Sequence, residues 1–215
     1  WKACSWPKIS APQAWNIQIL PNPFGNTESS ALSIDDVPAG SDMFISGYAN
    51  DAPARVCVGG PNSGVSCTSN VECFPGTCPP ASAVSPQPVV WMGDGVGPWS
   101  AEVLPLPPNG TGGSVSLCRP FLSGINEACT FVGSTLDDDG ISKAVLWTRD
   151  QNSQTWTVEL LPDNGPGMSS EAKGIAVDPL DGRRIIAGSV EVMELPTNRT
   201  VPAVWEEQPG GSFNL

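Results

Sequence analysis

The chain has 215 residues, 40% of them hydrophobic, and a formal charge of -12 with a pI near 4.2. That is enough apolar material for one β domain or two small ones, which argues against disorder, while the charge repels nucleic-acid phosphates and anionic lipid alike and sets both aside as partners. Glycine and proline stand at 23 each, about a fifth of the chain against a usual ~12%, so turns are frequent and long helices are excluded.

The first residues, WKACSWPKIS, lack the basic start and apolar stretch of a secretory leader, so the sequence reads as mature or excised. No run approaches the ~20 apolar residues that a membrane-spanning helix needs. Seven cysteines without a single histidine fit an oxidising, extracellular compartment better than a cytosolic zinc protein. The sequons Asn109-Gly-Thr111 and Asn198-Arg-Thr200, both in turn-like surroundings, agree with secretion and make Asn109 and Asn198 candidate glycosylation sites.

In chain order, residues 1–27 form a partial copy of a repeat that contains Trp15. Residues 28–113 form a first full copy, carried by SSALSIDDVPAGSDMFISGYAND and then by PVVWMGDGVGPWSAEVLPLP. Residues 114–167 form a second and 168–215 a third. Tryptophans mark the period: Trp91, Trp147 and Trp205 recur at spacings of 56 and 58, and Trp99, Trp156 and Phe213 at 57. From Trp15 to Trp99 the gap is 84, and the surplus matches a cysteine-rich insertion at 55–80 in the loop between the second and third strands of its copy. Stretches such as TFVGS, KAVLW and WTVEL alternate with period two, and Gly, Pro, Asn and Asp fill the connectors. The sequence therefore predicts an all-β fold of four-stranded antiparallel repeats, arranged as blades of a β-propeller and stapled at one loop; Trp91, Trp147, Trp205, Trp99 and Trp156 form its recurring core. About three and a half units are present where propellers close with roughly four to eight blades. Either the chain is part of a longer polypeptide or neighbouring subunits complete the array through open strand edges.

Gly-Ile, an apolar strand ending in Gly-Ser, a loop, and Ala-apolar-Trp, seen as GINEACTFVGS with AVLW and as GIAVDPLDGRRIIAGS with AVW, resemble the HAF-type repeats of secreted bacterial proteins. The resemblance covers most of residues 28–215. It implies an extracellular, propeller-like array and carries no catalytic residues with it. Leu32-Ser33-Ile34 replaces Gly-Ile-Asn in the first copy, and the insertion is a second departure.

In the insertion, Cys57, Cys67, Cys73 and Cys78 are too widely spaced for paired zinc ligands and read as two disulfides holding a Gly/Ser/Pro-rich loop, in any of three pairings. Cys118 and Cys129 are expected to form a third bridge, which leaves Cys4 for a partner in further sequence or another subunit. Asp137-Asp138-Asp139-Gly140 is a candidate calcium loop, weighed against a solvated turn, because the alternating ligands and distant Glu of an EF-hand are missing. Without histidine the familiar Ser and Cys triads cannot assemble, and no nucleophile elbow, phosphate loop or sialidase Asp-box occurs. The sequence therefore points to a non-catalytic extracellular structural or interaction protein, possible in a surface assembly or fibre through self-association. The alternative is a carbohydrate-binding or carbohydrate-active propeller that uses acidic loops and tryptophan on glycans.

Overall fold

The computed structural model describes residues 20–24, 29–35, 43–50, 57–65, 67, 70–78, 85–93, 98–120, 129–150, 152–178, 180, 182–194 and 197–215. Its strands are β1 (Ser29–Asp35), β2 (Met43–Asn50), β3 (Pro86–Gly93), β4 (Ser100–Val103), β5 (Gly112–Pro120), β6 (Cys129–Leu136), β7 (Ser142–Arg149), β8 (Trp156–Leu160), β9 (Ser170–Val177), β10 (Arg184–Val192), β11 (Arg199–Glu207) and β12 (Phe213–Asn214). One helical turn, α1 (Asn70–Cys73), stands between β2 and β3. The fold is all-β. Three four-stranded sheets, β1–β4, β5–β8 and β9–β12, each join consecutive strands antiparallel in chain order. No closed barrel or ring is formed among the described residues.

Aspartates build several of the tight connections. Between β6 and β7, Asp137 Oδ1 accepts the backbone N–H of Asp139 at 3.0 Å and of Ile141 at 2.8 Å, and Gly140 supplies a φ of 75°. Asp150 does the same for Asn152 and Ser153 between β7 and β8, and Asp178 for Leu180 between β9 and β10. A short carboxylate that captures N–H groups two to four residues on is the turn device expected of Asp.

A second device repeats in all three sheets. The first strand of each carries one extra residue, Leu32, Ser116 or Lys173, at a register shift. Facing it on the second strand is Gly47, Gly133 or Gly188. A Cβ on these glycines would run into the backbone carbonyl of Ser30, Ser114 or Glu171, so the two strands approach closely only because no side chain intervenes. Of the Gly-Ile steps equated in the sequence, Gly174 lies within β9 opposite Ala187, and Gly124-Ile125 lie outside the described residues.

The sheets stack face to face. β5 lies against β1, β2 and β3, and β9 against β5, β6 and β7. Between the first two sheets the core is Phe44, Val90, Leu104, Val115, Phe131, Val145 and Trp147; between the second and third it includes Val132, Leu146, Leu161, Ile186, Trp205 and Phe213. In the middle sheet β6 and β7 send alternate residues to opposite cores, as Val145 and Leu146 do, because successive Cβ atoms point to opposite faces.

Candidate functional site

The described chain concentrates its distinctive chemistry where sheets meet. Trp91, Trp147 and Trp205 occupy one place on the third strands β3, β7 and β11, and each is at most 1% exposed. A buried indole needs an acceptor for its N–H. Trp91 Nε1 donates to the Pro21 carbonyl at 2.6 Å, Trp147 to Pro105 at 2.7 Å and Trp205 to Pro162 at 2.7 Å. The acceptors lie in Leu20-Pro21, Leu104-Pro105 and Leu161-Pro162, so a Leu-Pro step running past one sheet is latched by the tryptophan of the next. Trp99 and Trp156 are half-buried; Trp156 meets Phe131 edge-on at 5.3 Å.

A charged pair bridges the joint between the first and second sheets, and another braces the third sheet. Arg149 of β7 reaches back to the first sheet, with Nη2 3.5 Å from Glu102 of β4, Nη1 3.2 Å from the Met92 sulfur and the guanidinium over the Trp156 ring at 5.5 Å. Within the third sheet Arg184 of β10 binds Glu207 of β11 through two N–H groups, Nη2 to Oε1 at 2.5 Å and Nε to Oε2 at 2.9 Å, and lies over Phe213 of β12. The Arg184 hydrogen bonds hold the Glu207 carboxyl below its ordinary range against a smaller opposing effect of burial. Glu159 of β8 is pushed up by burial, with Arg184 opposing the rise and Glu207 adding to it. The signs of the two carboxylates are opposite. Glu207 adds stability that is present above the unfolded value near 4.5 and lost as pH falls through its lower folded value. Glu159 favours the folded state below that value and loses this as pH rises through its higher folded value. Glu159→Gln is therefore expected to raise the melting temperature at pH 7 and leave it unchanged below about pH 4. Thermal melts of both proteins across pH check this, and a drop at pH 7 contradicts it.

In the insertion the bridges are Cys57–Cys73 and Cys67–Cys78, with Cα separations of 5.2 and 6.0 Å. All four are buried and pack on one another, so the sulfurs of Cys57, Cys67 and Cys73 fall within 4.8 Å. Their engagement in disulfides denies a metal the thiolates it needs. Around this centre Val58, Val65, Val71 and Phe74 are exposed.

The remaining candidates are dispersed. Asp138 and Asp139 point into solvent while Asp137 holds the turn, and the three carboxylates are not gathered round one point, which leaves the calcium reading without a ligand set. Among the described residues no other group of three metal-binding side chains converges. Asn109, with a φ of 66° in a turn, and Asn198 are both exposed. Cys118 sits opposite Phe131 and Cys129 opposite Pro120 on β5 and β6; their side chains, like Cys4 and the residues around Trp1, Trp6 and Trp15, lie outside those described. Sequence reasoning missed the Leu-Pro carbonyls, Arg149 and Arg184. The recurrence of Leu-Pro at 104 and 161, spaced like the tryptophans, is the signal that pointed to the first of these. No protein-family model, curated protein or solved structure matches this chain.

Proposed function

We propose that the chain is a non-catalytic secreted repeat module, its sheets successive blades of a propeller-like array of the HAF type, acting as a structural or interaction part of an extracellular assembly. The observation that carries this reading is that the recurring residues serve the packing of strands within a sheet and the joints between sheets. Trp91, Trp147 and Trp205 are buried and latched to proline carbonyls. Gly47, Gly133 and Gly188 admit a close strand approach. Two disulfides in a loop with a centre made of cystine suit an oxidising compartment. Asp137, Asp150 and Asp178, the acids that would draw a glycosidase reading, accept backbone N–H groups in turns. A glycan array combined with a panel of chromogenic glycosides tests the reading. Neither selective binding nor turnover is expected, and either one shifts the assignment to a carbohydrate-active propeller.

A further inference from the structure

The insertion has no core besides its sulfur. Among its described residues the buried ones are Cys57, Cys67, Cys73 and Cys78, while Val58, Val65, Val71 and Phe74 stand out in solvent. A short loop without an apolar centre is held together by disulfides or by a structural metal, and both devices draw on the same side chain. Disulfides hold it here, as Cys57–Cys73 and Cys67–Cys78.

The four cysteines are gathered by more than those bonds. Val58 N–H donates to the Thr77 carbonyl at 2.8 Å and Thr77 N–H to the Val58 carbonyl at 3.0 Å, which sets their neighbours Cys57 and Cys78 side by side. The turn that leads to Cys67 is closed by Gly64 N–H on the Cys57 carbonyl at 2.9 Å and by Cys57 N–H on the Val65 carbonyl at 2.8 Å. Asn62 Nδ2 donates to the Glu72 carbonyl at 2.9 Å and so ties this turn to α1, which carries Cys73. Gly76 lets the two arms touch, since a Cβ there would run into the Gly59 and Val58 carbonyls. Wide spacing along the chain is thus cancelled by folding: the sulfurs of Cys57, Cys67 and Cys73 lie within 4.8 Å of one another, and Cys78 is bonded to Cys67. With Zn–S near 2.3 Å, a tetrahedral zinc thiolate needs sulfurs about 3.8 Å apart. Parting the bonded pairs and drawing in the others by roughly 1 Å is within reach of χ1 rotation.

We propose that the insertion, once reduced, is a four-sulfur site for a soft divalent cation, zinc above all, held by Cys57, Cys67, Cys73 and Cys78. With a phosphine as reductant, each phosphine takes the oxygen of one water and gives two electrons to one disulfide, and the hydrogens of that water end on the two sulfurs. Four metal–sulfur bonds then form as the four thiols release their protons to solvent. Cystine and metal are alternative centres for the same loop, and they exclude each other because a disulfide sulfur has no thiolate to give.

Cobalt(II) titration of the 215-residue chain under nitrogen, followed by zinc, tests this. The phosphine-reduced chain is expected to take up one cobalt with the visible and charge-transfer bands of a tetrahedral four-thiolate site, and zinc displaces it; the oxidised chain shows neither. Alkylation with iodoacetamide and peptide mass spectrometry should find Cys57, Cys67, Cys73 and Cys78 shielded by zinc and Cys4 still reactive. Cys67→Ser and, separately, Cys73→Ser, both compared in the reduced state so that loss of a disulfide does not enter, weaken binding at least roughly tenfold. Circular dichroism confirms that the sheets remain in both. A reduced chain that takes up no cobalt, uptake that both variants leave undiminished, or shielding of Cys118 and Cys129 in place of the insertion's cysteines overturns the proposal. Each of these outcomes leaves the non-catalytic reading standing, because that reading falls only to glycan binding or turnover.

Discussion

Trp147→Ala is expected to destabilise the fold by about 3–5 kcal/mol, the usual cost of deleting a large buried aromatic. Trp147 is fully buried among Phe44, Val90, Leu104, Val115, Phe131 and Val145, so the substitution opens a hole where two sheets meet. It also strips the Pro105 carbonyl of its indole donor. In a chain of this length each kcal/mol moves the melting temperature by roughly 2–4 °C, so a fall of about 10 °C is the readout. Trp147→Phe separates the two contributions: most of the apolar contact stays and the hydrogen bond goes, for about 1–2 kcal/mol. Trp99→Ala, at a half-buried site, should cost less than Trp147→Ala. A loss at Trp147 no larger than at Trp99 would remove the joint from its central place in this structure.

Gly133→Ala adds a single methyl group and should cost about 2–4 kcal/mol. The new Cβ would land on the Ser114 carbonyl, with the Val115 Cα at 3.0 Å behind it. Both obstacles are backbone in a paired strand, so neither can swing aside; relief requires parting β5 from β6 at the bulge. Gly140→Ala is the control. Gly140 has a φ of 75° and open space around its missing side chain, so its cost is conformational only, about 1–2 kcal/mol. Chemical denaturation of the two variants compares a collision with a dihedral penalty, and equal losses would contradict the first.

The elements that sequence made legible are those written in side chains with a period. Alternation in WTVEL identifies β8, because one face of that strand must be apolar and the period of a strand is two, whereas AVLW in KAVLW is a continuous apolar run because β7 is buried on both faces. Tryptophan at 91, 147 and 205 is visible because nothing else fills that volume with an N–H to place. What stayed hidden is what the backbone does. The acceptors at Pro21, Pro105 and Pro162 are main-chain carbonyls, and a carbonyl leaves no mark of its own in a sequence. The bulges at Leu32, Ser116 and Lys173 involve three unlike side chains, so only the facing glycines betray them. Asp137 reads as one charge among three until its two N–H partners are seen. The choice of Cys57–Cys73 with Cys67–Cys78 depends on how α1 turns the chain back, which spacing does not encode.

The hairpin of β2 and β3 keeps an unbroken register from Met43 opposite Gly93 to Asn50 opposite Pro86, although residues 51–85 intervene. The matching connection between β6 and β7 runs only from 137 to 141. Loop-closure entropy grows with the logarithm of length, so a several-fold longer excursion costs on the order of 2 kcal/mol. The excursion also brings its own covalent bracing. The β2–β3 corner thus behaves as a socket: it accepts foreign sequence without disturbing the strands beneath. Diversity in a protein of this design can accumulate at such corners while the stacked scaffold stays the same.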